Sequence, residues 1–374
     1  MNARTKVADC VEELMPPKPM TPDPLPERPL VSILISNYNY AAFLGDAIES
    51  CLRQNYENLE IIICDDGSTD GSSRILERHR SLDGRISVVY QAHGGQSLAL
   101  NTAFQESSGD IICLLDADDV FMRDKVQRVI CGFSAVPDAG FAVNRMLRVD
   151  RARRYLGDLP LVSSLASGWI RPFLSLSAPH VASGLPPCSG LSLRRSVAET
   201  IFPLPRRLTA YADTLIQVLA PLITPIVAIE NPLSEYRVHG ANLAAVREFD
   251  ETRLRNLAVC EREIWQAWRR FLASPHSGLP PNFPLPREMP ASPMSYAYSR
   301  FRSRSWSRAD RQVISSEYFR TWPRSFQWFW RASPLMPNWF FRRSFAFMYG
   351  QTRAKVVLGR ILRAYRKGFR LCQQ

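Results

Sequence analysis

The sequence lacks the signatures of several common protein classes. Its eight cysteines include no C-x-x-C pair, which argues against a zinc ribbon or a disulfide framework. It has no G-x-x-x-x-G-K-[ST] phosphate loop, and no G-x-G-x-x-G follows its first predicted strand. These absences leave both a P-loop enzyme and a dinucleotide-binding dehydrogenase without support. No run of about 18 apolar residues occurs, so we expect no transmembrane span.

What is present is an ordinary globular composition with a basic tail. The chain has 374 residues, of which 46% are hydrophobic and 22% charged, enough for one large domain plus an appendage. The formal net charge of +12 is concentrated in residues 300–374, which hold 17 Lys and Arg against 2 Asp and Glu. Residues 1–29 contain seven prolines, and we predict that they form a disordered, Pro-rich leader.

The first half of the chain alternates apolar segments with amphipathic ones. Strands are predicted at 31–35, 60–64, 86–90 and 111–115, and helices at 41–53, 70–79 and 97–106. Uninterrupted apolar strands separated by helical crossovers are typical of a parallel sheet that is buried on both faces. The pattern therefore predicts an α/β fold with a mostly parallel central sheet and helices on both faces.

Polar residues follow each predicted strand, where the carboxyl ends of parallel strands meet at one edge and ligands bind. The fourth strand is followed at once by Asp116, Asp118 and Asp119. Carboxylates this close repel one another, so either water solvates them or a hard dication such as Mg²⁺ or Mn²⁺ neutralises them. The alternative to a metal site is a solvated acidic loop that starts a helix near Val120.

Two segments carry a resemblance to a known family. The sequences VSILISNYNYAAFLGDAIESCLRQNYENLEIIICDDGSTDGS and HGGQSLALNTAFQESSGDIICLLDADD resemble the nucleotide-binding half of a family 2 glycosyltransferase with the GT-A fold. The resemblance implies a D-x-D motif in which Asp116 and Asp118 hold Mn²⁺ or Mg²⁺ on the diphosphate of the donor. The residues that it implies for binding the donor nucleotide are Ser36, Tyr38, Asp65, Asp66, Gln96 and Asp116. The pair Ser36-Asn37 departs from the family, which more often has Pro followed by Thr or Ser.

The second half of the chain has fewer signals. Gly184 to Arg195 is a Gly/Pro loop leading into a short strand, and by itself it indicates only a tight turn. Asp213 opens an apolar helical stretch, where an acidic residue is commonly a cap or a dipole partner. The resemblance instead implies that Asp213 is the catalytic general base, although the family usually has two adjacent acidic residues and here Ala212 precedes it.

A lone histidine, His239, follows a strand-like segment. A histidine of this kind is often structural, but the resemblance implies that His239 contacts the metal or the diphosphate. The nearby Arg237 could contact phosphate oxygens with a bidentate guanidinium.

The resemblance predicts a GT-A glycosyltransferase domain at 30–248, with a nucleotide-binding half at 30–136 and an acceptor half at 137–248. It implies a metal-dependent, inverting transfer of a sugar from a UDP-, GDP- or dTDP-sugar to a saccharide or lipid-linked acceptor, in the synthesis of cell-surface polysaccharide or glycoconjugates. A nucleotidyltransferase that uses the same carboxylates, and a non-catalytic scaffold of the same fold, remain alternatives.

Residues 249–374 are predicted to form a basic, aromatic-rich and mainly helical extension. A helix is expected at 251–271, a Pro-rich linker at 274–293 and a basic amphipathic helix at 353–370. The last helix could bind an anionic membrane surface or pack on the catalytic domain. No recognised nucleic-acid motif occurs, so we expect no nucleic-acid partner. Isolated cysteines in apolar runs favour a cytoplasmic location, at the inner face of the membrane if the tail binds lipid.

Overall fold

The computed structural model describes residues 19–159, 165–170, 185–239, 242, 251–277, 279, 285, 297–298 and 324–349. The chain divides into two compact units. The first comprises Met1–Arg237 with Glu263–Arg287, and the second Val238–Arg262 with Glu288–Gln374. The GT-A domain was predicted to end at 248. The first compact unit ends at Arg237 and also contains the later segment Glu263–Arg287.

The first four strands of the first unit are parallel and lie in the order β3-β2-β1-β4. The strands are β1 (Val31–Asn37), β2 (Leu59–Asp65), β3 (Ile86–Tyr90) and β4 (Ile111–Asp116). The helices that connect them are α1 (Ala41–Leu52), α2 (Ser72–Leu82) and α3 (Gln96–Gln105). The α/β architecture predicted from the alternating pattern is confirmed.

Antiparallel strands extend the sheet beyond β4, in the order β4-β8-β6-β9-β5 with β7 beside β6. The added strands are β5 (Val120–Phe121), β6 (Phe141–Asp150), β7 (Tyr155–Asp158), β8 (Leu191–Arg194) and β9 (Ile226–Val238). The helices among them are α4 (Lys125–Ala135), α5 (Arg195–Ile201) and α6 (Ala212–Ile223). The sheet is therefore parallel in its first half and antiparallel at β4–β8, β8–β6, β6–β7 and β5–β9.

The alternative in which the acidic loop starts a helix near Val120 is wrong. Val120 and Phe121 form the short strand β5 opposite Ser234 and Glu235 of β9, and α4 begins only at Lys125. The pairing with β9, which is distant in the sequence, outweighs the local preference of the acidic turn for starting a helix.

The core of this unit lies between the parallel strands and their helices. Ile33 of β1, Ile63 of β2 and Leu115 of β4 are fully buried in one cluster, together with Ile48 of α1 and Phe133 of α4. Each such side chain contributes about 1.5–3 kcal/mol by leaving water. This packing gives the carboxyl ends of β1, β2 and β4 a rigid base.

Residues 19–29 were predicted to belong to a disordered leader, and for them that prediction is wrong. Pro22 is buried, the backbone N–H of Met20 donates to the carbonyl of Ile223 at 2.8 Å, and the Tyr56 hydroxyl donates to the carbonyl of Pro29 at 2.6 Å. These contacts with the domain thus offset the conformational entropy that the segment loses when it is ordered, and its prolines already reduce that entropy in the unfolded chain. Residues 1–18 lie outside the described residues.

The described part of the second unit is mainly helical. The expected helix at 251–271 is confirmed as α7 (Glu251–Leu272), which continues into the first unit; α8 (Arg324–Ala332) and α9 (Asn338–Tyr349) follow. Trp330 of α8 is buried against Phe341 and Phe345 of α9, with ring centroids 6.1 Å from each. The predicted basic helix at 353–370 lies outside the described residues. None of the described helices has both the length and the apolar composition needed to cross a bilayer.

Candidate active site

Three carboxylates meet where β4 ends. Asp116 is the last residue of β4, and the turn that follows brings Asp118 and Asp119 beside it, so that one oxygen from each lies within 4.8 Å of the others. Asp118 is 7% exposed and Asp119 is 1% exposed. This is not the solvated loop that the sequence left open as an alternative. A compact set of carboxylate oxygens fits a hard dication such as Mg²⁺ or Mn²⁺.

Negative charge in this cluster carries an electrostatic cost. Burial, followed by the charges of Asp118 and Asp213, raises the pKa of Asp116 to about 8. Burial and the charges of Asp118 and Asp116 raise the pKa of Asp119 well above its ordinary value. Carboxylates in this state bind either protons or a cation, because either one removes the mutual repulsion.

Ser189 connects two members of the cluster. Its hydroxyl donates to Oδ2 of Asp119 at 2.6 Å and accepts the backbone N–H of Asp116 at 3.1 Å. The other oxygen of Asp119, Oδ1, accepts the backbone N–H of Arg237 at 2.9 Å. Asp119 is thereby fixed from two sides. Ser189 was not predicted from the sequence, since the Gly/Pro loop around it indicated only a tight turn.

Gln96, at the start of α3, links Asp116 to the start of α6. Its Nε2 donates to Oδ1 of Asp116 at 3.1 Å, and its Oε1 accepts the backbone N–H of Ala212 at 3.3 Å. Cys188 is buried near Asp116 and Asp213, since its burial and the charges of these two carboxylates raise the pKa of its thiol well above the ordinary value. The fold thus brings Gln96 and Asp213 to the acidic cluster.

Asp213 lies in the first turn of α6 but does not cap the helix. The N-cap residue is Tyr211, in the left-handed region with φ of 62°, and it makes no side-chain capping bond. Oδ1 of Asp213 accepts the N–H of the adjacent Thr214 at 2.8 Å. Burial raises the pKa of Asp213, so its carboxylate has a higher affinity for a proton than an exposed one.

Asp65 is 3% exposed at the end of β2. Its Oδ1 accepts Nδ2 of Asn37 at 2.6 Å, and its Oδ2 accepts the backbone N–H of Ser68 at 3.0 Å. These bonds tie the first and second loops of the sheet edge together. The predicted contact of Asp65 with the donor nucleoside stays a prediction.

Asp66 organises the loop after β3. Its Oδ1 accepts Nε2 of Gln91 at 2.6 Å and the N–H of Gly94 at 2.9 Å, and its Oδ2 accepts the N–H of Gly95 at 2.8 Å. Nδ1 of His93 lies 2.8 Å from Oδ2 of Asp66. Asp66 therefore orients the loop that leads into Gln96, and its assignment to the donor nucleotide likewise stays a prediction.

Ser36 and Tyr38 lie at the same edge. Ser36 pairs in register with Asp116 across β1 and β4, which places it next to the acidic cluster. Tyr38 is 40% exposed and stacks on the ring of His93, with ring centroids 3.9 Å apart. An exposed aromatic face beside a polar cluster is suited to contact with a flat heterocycle.

Arg237 does not present its guanidinium to a ligand. The side chain is 3% exposed, NH2 donates to Oδ2 of Asp46 at 2.9 Å, and the guanidinium lies 5.0 Å from the Phe43 ring centroid. The expectation of a bidentate phosphate contact is therefore wrong, because the group is already engaged in buried contacts. His239 belongs to the second unit, where its backbone N–H donates to Oδ1 of Asn242 at 3.0 Å; its predicted metal contact stays a prediction.

The mixed sheet with an acidic cluster at its carboxyl edge defines a domain of the GT-A class. A solved structure shares this fold: residues 1–349 of TarS from S. aureus, in complex with UDP-GlcNAc. The two chains are 17% identical, the match covers 84% of this chain and 89% of that one, and the TM-score is 0.50.

Sequence comparisons identify the family within that class. Residues 32–185 match the family described as glycosyl transferase family 2. An uncharacterized glycosyltransferase of Nostoc sp. is 33% identical over 218 residues, which are 57% of this chain and 66% of that protein. The putative teichuronic acid biosynthesis glycosyltransferase TuaG of Bacillus subtilis is 36% identical over 115 residues, which are 29% of this chain and 46% of that protein. Residues 32–185 therefore form a glycosyl transferase family 2 domain, as the motifs predicted, and the chain spans under two thirds of the length of these curated relatives.

Proposed function

We propose that this protein is a metal-dependent, inverting glycosyltransferase that moves a sugar from a nucleoside-diphosphate sugar to an acceptor hydroxyl. The observation that carries the proposal is the convergence of Asp116, Asp118 and Asp119 in one cluster, in which Asp118 and Asp119 are buried and Asp116 is partly buried, with the charge of Asp213 close enough to raise the pKa of Asp116. Membership of family 2 supports the same reaction class.

The proposed substrates follow from the edge loops and from the relatives. Ser36, Tyr38, Asp65, Asp66 and Gln96 would contact the nucleotide of a UDP-, GDP- or dTDP-sugar. UDP-GlcNAc in the complex with TarS, a protein of the same fold, agrees with a donor of this class. A saccharide or lipid-linked acceptor, in polysaccharide or glycoconjugate synthesis, agrees with the name given to TuaG.

Asp116 and Asp118, with Asp119 beside them and His239 as a further candidate, would hold Mn²⁺ or Mg²⁺. The all-oxygen character of the carboxylate cluster fits these ions. When bound, a divalent cation stabilises the negative charge that develops on the departing diphosphate. Ser189 and Gln96 keep the carboxylates in place for this role, since each donates a hydrogen bond to one of them.

Asp213 would take the proton from the acceptor hydroxyl as that oxygen attacks the anomeric carbon. A carboxylate whose proton affinity is raised by burial is a stronger base once ionised. The acceptor oxygen would attack the anomeric carbon on the face opposite the diphosphate. The new carbon–oxygen bond forms as the bond to the diphosphate oxygen breaks, so this single displacement inverts the anomeric configuration.

A donor assay tests this proposal. The purified chain is incubated with a panel of nucleotide sugars and Mn²⁺ or Mg²⁺, and released nucleoside diphosphate is measured for wild type, Asp118→Asn and Asp213→Asn. Each substitution is expected to lower turnover by about 10²-fold or more, on the scale seen when a comparable electrostatic or acid–base group is removed. Asp83→Asn is a matched control, because Asp83 precedes β3 at the opposite edge of the sheet and pairs with Arg85.

Three results would contradict the proposal. Unchanged donor breakdown in Asp118→Asn would remove the metal site from the reaction. Pyrophosphate released from a nucleoside triphosphate would indicate a nucleotidyltransferase. A product that retains the anomeric configuration, determined by NMR, would exclude the single displacement.

A further inference from the structure

A lysine is completely buried in the first unit. Lys125, the first residue of α4, is 0% exposed. Its Nζ donates to Oδ1 of Asn144 and lies 5.2 Å from the centroid of the Phe121 ring. Burial lowers its pKa to about 8. Burying an ammonium group is energetically unfavourable, and the hydrogen bond from Lys125 to Asn144 offsets part of this cost.

The hydrogen bonds of Asn144 lead from Lys125 towards the acidic cluster. Nδ2 of Asn144 donates to Oγ of Ser234 at 3.4 Å, and Oγ of Ser234 donates to the carbonyl of Ser189 at 2.6 Å. Asn144, Ser189 and Ser234 are each 0% exposed. Ser189 is the residue whose hydroxyl bonds to Asp119 and to the backbone of Asp116.

This relay joins elements that are far apart in the sequence. Lys125 belongs to α4, Asn144 to β6, Ser234 to β9, and Ser189 to the short 3₁₀ turn Cys188–Gly190. The ammonium group supplies the donor for Oδ1 of Asn144, which leaves the Asn144 amide to donate to Ser234 and to the carbonyl of Arg145 at 2.8 Å. The charge of Lys125 thereby sets the direction of the Asn144 amide, with its N–H bonds pointing away from α4.

We propose that Lys125 is a positioning residue for the acidic cluster, which it holds in cation-binding geometry through Asn144, Ser234 and Ser189. The inference rests on the proposed function, because it assigns to the relay the geometry of a cation site. Lys125 contacts neither the cation nor the substrate in this role. Groups that orient metal ligands from outside typically change metal affinity by about 10–100-fold when they are removed.

The relay could instead serve only the stability of the fold, and the two roles give different results in a double variant. Lys125→Met leaves Oδ1 of Asn144 buried without its donor, which destabilises the protein. Adding Asn144→Leu removes that unsatisfied group, since replacing both partners by apolar side chains is nearly neutral. The double variant therefore recovers stability but still lacks the relay to Ser189.

The probe is Mn²⁺, measured from the loss of the free-ion EPR signal, alone and with UDP or GDP. Thermal unfolding is recorded on the same full-length samples, with Asp83→Asn as a control. We expect Mn²⁺ affinity to fall about tenfold or more in Lys125→Met and to stay low in the Lys125→Met/Asn144→Leu double variant, although the double variant unfolds closer to the wild-type temperature. Ser234→Ala cuts the same relay by removing one hydroxyl, and we expect it to weaken Mn²⁺ binding as well.

The outcomes separate this inference from the proposed function. Wild-type Mn²⁺ affinity in the double variant and in Ser234→Ala would overturn it, and these two variants decide the question even if Lys125→Met does not fold. Joint recovery of stability and Mn²⁺ affinity in the double variant would show that Lys125 serves the fold alone. If the wild-type chain binds no Mn²⁺ in any of the three arms, the metal-dependent function itself fails and the inference fails with it.

Discussion

The metal-free protein is expected to be more stable at pH 6 than at pH 8. The pKa of Asp116 is about 8 in the folded protein against an ordinary value of 3.8, so the folded state holds a proton that the unfolded chain releases. For an acid shifted in this direction, stability increases as the pH falls through the folded pKa and levels off only below the unfolded one. Asp119 and Asp213 are shifted in the same direction and add to the effect.

The magnitude follows from proton linkage. Between pH 8 and pH 6, proton binding by one group with a pKa of about 8 favours the folded state by a further ~50-fold, which is about 2 kcal/mol. For a unit of this size, that corresponds to a rise of roughly 4–8 °C in the melting temperature. The affinity for Mn²⁺ should change the opposite way, weakening by up to about 50-fold at pH 6, because the proton and the metal compete for the same carboxylate.

The assay is thermal unfolding at the two pH values, with and without Mn²⁺, for wild type and Asp116→Asn. Asp116→Asn keeps every histidine, so the difference between the two proteins isolates the carboxylate from other groups that titrate in this range. An equal pH dependence in both proteins would refute the reasoning, as would Mn²⁺ affinity that does not change between pH 6 and pH 8.

Three further substitutions test the support of the site by unfolding in urea. Gly95→Ala should lower the free energy of unfolding by about 1–3 kcal/mol, because Gly95 has φ of +93° and an added Cβ would lie 2.7 Å from Cα of Thr209. Gly84→Ala is the control and should be nearly neutral, since an added Cβ there meets nothing within 4 Å. Equal effects of the two substitutions would contradict the steric argument. Asp66→Asn should lower the free energy of unfolding by about 1.5–3 kcal/mol, because it weakens the hydrogen bonds to the loop after β3. A variant as stable as wild type would show that Asp66 does not stabilise this loop, and nucleotide binding would be its only predicted role. Ile63→Ala should cost about 2–5 kcal/mol, and a smaller loss would mean that the sheet centre repacks.

The parallel half of the fold could be predicted because its signals are local. Each strand is a short apolar run closed by polar residues, and the helix after it shows its own periodicity, so β1 to β4 and α1 to α3 follow from neighbouring residues. The acidic motif of Asp116, Asp118 and Asp119 could be found for the same reason, since three carboxylates directly after a buried strand are visible in the sequence.

Other features required the folded chain. The strand β5 exists because Val120 and Phe121 meet β9, and residues 19–29 are ordered by partners that the Pro-rich composition does not reveal. A serine in a Gly/Pro loop carries no local sign that it will bond to a carboxylate 70 positions away. The same holds for the buried Lys125, which in the sequence is one more basic residue at the start of a helix.

The class of fold, the family and the acidic motif could be predicted from the amino-acid sequence, because they depend on local periodicity and on residues that are adjacent along the chain. The surroundings of the motif depend on the folded chain, in which Ser189, Gln96, Asp213 and the relay from Lys125 reach the cluster from separate elements. The physical reason is that desolvation, which raises the pKa of Asp116 and makes each of these hydrogen bonds matter, is a property of the packed interior.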